Sequence, residues 1–88
     1  MIILSVNAGS SSLKFTGFEM PSEDVLISGV FERIGIDNSF YTIKVNGEKI
    51  KKEVELPNHK VAFEILIKEL MDNKIVESLD EIKVVGHR

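Results

Sequence analysis

The sequence has no cysteine and no tryptophan, and only two histidines. Without thiols there is no disulfide and no thiolate metal site. A reducing compartment suits such a chain, and a cytoplasmic location is expected. Two histidines without cysteine do not make a zinc site. Long apolar runs are also missing. The opening "MIILSVN" lacks a basic stretch and its apolar run is a few residues long, so it reads as neither a secretion signal nor a membrane span. An excess of basic residues is missing too. The formal net charge is −3 and the sequence pI is about 5.3, which leaves no electrostatic footprint for nucleic acid. Repeats and low-complexity tracts are absent.

What is there points to one small folded domain. The chain has 88 residues, with 43% hydrophobic and 28% charged, close to globular averages. A domain of this size buries roughly 60–65% of the surface its unfolded chain exposes, so its core is thin.

Ile2 to Val6 is almost continuously apolar and rich in β-branched residues, as in a strand covered on both faces. "NAGSS" (7–11) is a turn. From Ser12 the pattern alternates, with Leu13 and Phe15 on one face and Lys14 and Thr16 on the other. At Gly17 the apolar phase slips by one residue to Phe18 and Met20, which predicts a β-bulge. "PSED" (21–24) is a turn, 25–33 a third strand and "GIDNS" (35–39) a loop. Tyr41, Ile43 and Val45 alternate up to Asn46-Gly47, a strong two-residue hairpin signal. That loop length pairs Val45 with Glu48 and Ile43 with Ile50, setting apolar against apolar. Asn58 is a candidate helix cap. Phe63, Leu66, Ile67 and Leu70 then follow the i, i+3, i+4, i+7 rule to about Asp72, with Lys60, Glu64 and Lys68 on the other face. Residues 73–81 are a connector with a possible helical turn, and "IKVVGHR" (82–88) is a further strand. One helix covers only one face of such a sheet. The other face is expected to be apolar and exposed, or covered by a partner, and self-association is expected from it. The expectation is of a piece of a larger domain.

The stretch "NAGSSSLK" (7–14) sits between two strands, where linkers are not normally found. It is not a P-loop, which needs two glycines and a lysine at a helix start. It is not a nucleophile elbow, which needs G-x-S-x-G at a strand-to-helix turn, and nothing in the sequence brings His59 or His87 near a serine. It does suit a phosphate-binding hairpin. Gly9 permits a tight turn, and successive turn amides can form an anion nest. Ser10 and Ser12 supply hydroxyl donors, Lys14 a positive charge, and Asn7 a carbonyl oxygen for a hydrated Mg²⁺. From the residues alone, a plain serine-rich turn with an exposed lysine remains the alternative. His59, in the first helical turn, is expected to be solvated. His87 is expected to pack at a strand end, Phe31, Phe40 and Tyr41 in the core or hairpin, and the Lys/Glu run 48–55 on a solvated face.

"VNAGSSSLKF" resembles the amino-terminal signature of the acetokinase (acetate, propionate and butyrate kinase) family. "ERIGIDNS" (32–39), "VNGEK" (45–49) and "VVGHR" (84–88) agree, so the resemblance runs the length of the chain. It implies an α/β fold: a mixed β-sheet forming part of a ribonuclease H-like/actin-like ATPase domain, with 41–56 as an inserted hairpin. Residues 1–88 would then be the first part of the first of two such domains. The implied reaction is reversible phosphoryl transfer from ATP to acetate, giving acetyl phosphate and ADP. By resemblance Asn7 helps to hold Mg²⁺, Ser10 and Ser12 contact phosphate, Lys14 lies near ATP, and Arg88 of "GHR" binds the acyl phosphate or carboxylate. The implied cofactors are ATP and Mg²⁺. No nucleic-acid or membrane partner is expected, and the parent enzyme is expected to be a homodimer. The family's catalytic residues lie beyond this segment, so the 88 residues alone are expected to be inactive. A propionate or butyrate kinase is the near alternative. A non-catalytic actin-like or Hsp70-like module is the distant one, although such modules usually carry Asp where this chain has Asn7. A β-rich interaction module with no nucleotide is a third.

Overall fold

The computed structural model describes residues 2–76 and 82–87. Six strands and one helix follow in order: β1 (Ile2–Ala8), β2 (Ser12–Glu19), β3 (Asp24–Glu32), β4 (Phe40–Val45), β5 (Glu48–Glu53), α1 (His59–Asp72) and β6 (Ile82–His87). They form one mixed sheet in the order β5-β4-β3-β2-β1-β6. β6 runs parallel to β1, and every other neighbouring pair is antiparallel. The parallel return needs the crossover that α1 supplies. The strand order, the helix limits, the hairpin register and the bulge agree with the sequence pattern. Val45 pairs with Glu48 and Ile43 with Ile50, and the β2–β3 register shifts between Gly17 and Phe18.

Strand alternation sorts the residues onto two unlike faces. Leu4, Leu13, Phe15, Ile27, Phe31 and Ile43 point to one face, where Ala62, Leu66 and Leu70 of α1 complete the buried cluster. Burying each of the larger side chains contributes about 1.5–3 kcal/mol, and this cluster is the main stabilising term. Phe31 stacks on Tyr41 with ring centroids 4.8 Å apart. Gly29 lies opposite Phe15, where an added Cβ would come within 2.7 Å of the Phe15 ring and 2.6 Å of the Thr42 carbonyl oxygen. Only glycine lets that ring settle against the sheet.

Two polar side chains are buried among the described residues, Ser39 and Glu69, and Glu69 carries a charge into the core. Glu69 is buried, accepts from the Tyr41 hydroxyl at 2.5 Å and from Lys52 Nζ at 3.0 Å, and so ties α1 to the β4–β5 hairpin. Burial pushes the Glu69 pKa up, but hydrogen bonds from Tyr41, Lys52 and Asn73, with the Lys52 charge, outweigh it and hold it below the usual carboxylate value. Burial, then the bond to Glu69 and its charge, push the Tyr41 phenol up.

The opposite face corrects the sequence expectation. It is not a wholly apolar surface. Ser5, Thr16, Ser28 and Lys44 lie in one cross-strand row, and Asn7, Lys14, Val30 and Thr42 in the next. The alternation that buries one face fills the other with serine, threonine and lysine, and Ile3, Val30 and Phe40 there are only half-buried. Of the exposed large apolar residues among those described, Val25 stands on that face in a row with Phe18 and Ile3, and Val85 beside Ser5, while Val84 lies on the other face and Ile36 and Met71 lie outside the sheet. That face is therefore mixed: the row Ser5, Thr16, Ser28 and Lys44 lies beside the apolar row Ile3, Phe18 and Val25.

Candidate functional site

The hairpin between β1 and β2 is tighter than its sequence suggests. β1 continues past Val6, because Asn7 pairs with Lys14 and Ala8 with Leu13. Only Gly9, Ser10 and Ser11 remain outside the strands. The turn closes through the Gly9 amide, which donates to the Ser12 carbonyl oxygen at 2.9 Å. A Cβ on Gly9 would stand 2.7 Å from Ser12 Oγ, so the glycine leaves room for that hydroxyl beside the turn.

Three carbonyl groups of this turn, those of Gly9, Ser11 and Ser12, are tied to the protein. The Ile34 amide, in the stretch "ERIGIDNS", donates to the Ser11 carbonyl at 2.9 Å. His59 Nε2 lies 2.8 Å from the Gly9 carbonyl oxygen and 3.1 Å from that of Ser12. Among the described residues, neither the Ser10 nor the Ser11 amide pairs with a backbone carbonyl. Among the described residues the carbonyls of Gly9, Ser11 and Ser12 are engaged, that of Ser10 is not, and the Ser10 and Ser11 amides are left as the donors an anion requires.

Most of the residues singled out from the sequence meet here. Asn7 and Lys14 are direct cross-strand partners on the open face, both exposed. Ser10 is exposed in the turn, and Ser12 is half-buried at the start of β2, opposite Glu32. Lys14 lines an open cleft of about 500 Å³ with Lys44, Lys49, Glu32, Ser28 and Thr42, which gives the region a local positive excess in a chain of negative net charge. Arg88 lies outside the described residues, and the side chain of His87 is likewise outside them.

His59 is the residue that sequence reasoning missed. It is half-buried and hydrogen-bonded to the turn, not solvated. The local signal was present: Asn58 caps α1, accepting from the Val61 amide at 3.0 Å, which fixes His59 as the first helical residue. Its partners are 47 and 50 residues away in sequence, and no periodicity announces them. The first turn of α1 carries no acidic residue, so nothing in that turn offsets the partial positive charge of the helix end.

Cation binding is a separate question. Among the described residues there is no group of three or more His, Cys, Asp and Glu side chains arranged for a metal. Asn7 offers a single neutral oxygen at the strand position paired with Lys14. That donor set does not hold Mg²⁺ unaided, but it fits a hydrated Mg²⁺ carried in by phosphate groups, which usually keeps several waters.

The chain is similar to known proteins in sequence and in fold. The sequence profile of the acetokinase family matches residues 2–88. Acetate kinase of Bacillus mycoides is 58% identical over 86 residues, 98% of this chain and 22% of that protein. Acetate kinase of Bacillus cytotoxicus is 57% identical over the same share. The chain thus spans about a fifth of the length of these relatives. Among solved structures, acetate kinase of Porphyromonas gingivalis matches 97% of this chain and 22% of its own, with a TM-score of 0.90 and 38% identity. A propionate kinase of Francisella tularensis matches the same share of this chain and 21% of its own, with a TM-score of 0.82 and 31% identity. The six strands and helix are those of an actin-like ATPase fold, and the chain belongs to the acetokinase family.

Proposed function

We propose that this chain supplies the phosphate-facing hairpin of an acetate kinase, which moves a phosphoryl group between ATP and acetate. The observation that carries the reading is the polarity of the Gly9–Ser12 turn. The Gly9, Ser11 and Ser12 carbonyls accept from His59, Ile34 and Gly9, while the Ser10 and Ser11 amides have no backbone partner among the described residues. With the Ser10 and Ser12 hydroxyls and the Lys14 ammonium, the turn is a cluster of donors on a stiff hairpin.

In the reaction an acetate oxygen attacks the γ-phosphorus, the new O–P bond forms as the bond to the β-bridging oxygen breaks, and ADP leaves. Phosphoryl transfer needs positioning and charge neutralisation more than covalent help. Ser10, Ser12 and the turn amides would orient phosphate oxygens, and Lys14 would balance their charge. Mg²⁺, when bound, neutralises charge on the phosphate oxygens, and Asn7 would steady its water shell. Arg88 would hold the carboxylate or acyl phosphate, for which the guanidinium fork is shaped. Acetate is favoured over propionate because the curated relatives at 57–58% identity carry the name acetate kinase. The 88 residues correspond to 22% of the length of those acetate kinases, and by themselves they are expected to give no turnover.

The test is a chimera in which this chain replaces the matching segment of the Bacillus mycoides enzyme. Acetyl phosphate should form from ATP and acetate, and Arg88→Ala should lower kcat/KM by about 100-fold, the loss of one charge-assisted bidentate contact. A well-folded but inactive chimera would refute the assignment.

A further inference from the structure

The contact between His59 and the turn joins parts of the chain that are distant in sequence, and its chemistry is restrictive. Both partners of Nε2 are backbone carbonyl oxygens, at 2.8 Å and 3.1 Å, and a carbonyl only accepts. Nε2 must therefore carry the hydrogen. The neutral Nε2–H tautomer and the imidazolium both meet that requirement, and the Nδ1–H tautomer does not. The two carbonyls belong to Gly9 and Ser12, the residues on either side of the serine pair, so one N–H bridges the two ends of the turn.

We propose that His59 is a positioning residue, a clasp that holds the Gly9–Ser12 turn in its anion-receiving form. The proposal rests on the reading of that turn as a phosphate site. Three features carry it. The clasp engages the lone pairs that would otherwise repel an incoming phosphate. Its donor stands on a firm base, the first residue of a helix capped by Asn58 and anchored through Leu66, Leu70 and Glu69. Finally, the Ile34 amide grips the Ser11 carbonyl, so every carbonyl from Ser11 to Ser12 and that of Gly9 has a donor from the protein. His59 acts through the turn and touches no phosphate itself, which separates it from Ser10, Ser12 and Lys14.

The test uses the 88-residue chain with ¹⁵N-labelled backbone and histidine, as wild type, His59→Phe and His59→Gln. Phenylalanine keeps a ring without the donor, and glutamine restores an amide N–H at the ε position. The imidazole spectrum of the wild type should show hydrogen on Nε2, and the heteronuclear NOE of Ser10, Ser11 and Ser12 should match the strands. In His59→Phe those three amides should become mobile while β3 and β4 keep their shifts, and His59→Gln should restore them. An Nδ1–H tautomer, or a turn equally ordered in His59→Phe, would overturn the clasp. Should His59→Phe fail to fold, the wild-type tautomer and the order of the turn in His59→Gln decide the matter. Titration with Mg·ATP separates the two readings. His59→Phe should bind about tenfold more weakly and His59→Gln within about threefold of wild type, the scale of one hydrogen bond. Equal binding by all three would overturn the clasp and spare the phosphate site. An ordered wild-type turn that binds no Mg·ATP would overturn the phosphate site, and the clasp would then stand or fall on the spectra.

Discussion

The β4–β5 turn at Asn46–Gly47 and the β1–β2 turn at Gly9–Ser11 both join antiparallel neighbours, yet they are held in different ways. Asn46 and Gly47 both take positive φ, 54° and 77°, and no atom outside the turn lies within 4 Å of a Cβ built on Gly47. Two residues with the right backbone freedom shape that turn unaided. The β1–β2 turn is fixed from outside, by His59 on α1 and Ile34 after β3. A turn set by its own residues is a connector. A turn braced by distant elements can keep its donors unpaired, which is what a binding site needs.

The largest effect that would sharpen this contrast is expected at Lys14. Lys14→Ala should weaken Mg·ATP binding by about 30-fold, the range of a hydrogen bond to a charged group, and leave the unfolding midpoint unchanged because Lys14 is exposed. Unaltered affinity in an equilibrium titration would remove the lysine from the site. Next comes Gly9→Ala. Its Cβ would meet Ser12 Oγ, so the hydroxyl must move, and binding should fall by about tenfold with little loss of stability. If urea unfolding changed more than binding, the glycine would be serving the fold and not the site. Gly47→Ala should show the reverse, a loss of about 1 kcal/mol in urea unfolding with unchanged binding, since its φ of 77° strains any side chain. An effect on binding there would break the distinction between the turns.

The smallest and most gradual effect is pH dependence from the Tyr41–Glu69 pair, remote from both turns. The Glu69 pKa is lowered by folding, so its contribution is present above the unfolded value, about 4.3, and is lost as pH falls through the folded one. The Tyr41 pKa is raised, so its contribution is complete below about pH 10 and is lost as pH rises beyond it. Urea midpoints measured across that range should fall at both ends. Glu69→Gln should flatten the acid limb, and an unchanged acid limb in that variant would count against the assignment.

What the sequence disclosed follows the same division. Alternation from Leu13 to Thr16, the phase slip at Gly17, the Asn46-Gly47 pair and the Phe63–Leu70 spacing are local signals, and each element stands where they put it. The residues of the hairpin were legible for the same reason, being adjacent in the chain. The bracing by His59 and Ile34 was not, because a helix start and a strand end meet the turn only through the tertiary fold. The polar row on the open face was legible in principle from Ser5, Thr16, Ser28 and Lys44. Counting helices against faces, one helix for a two-faced sheet, does not reveal it, because the composition of the uncovered face is set by the strand alternation.

The central claim is that Gly9 to Lys14 is a phosphate-binding hairpin already formed in this chain. The most direct test is a ¹H–¹⁵N titration of the 88-residue chain with Mg·ATP. Shift changes centred on Asn7 through Lys14, with the Asn46–Gly47 turn silent, are expected. A well-dispersed spectrum in which those residues do not move, or in which the changes centre elsewhere, would contradict it.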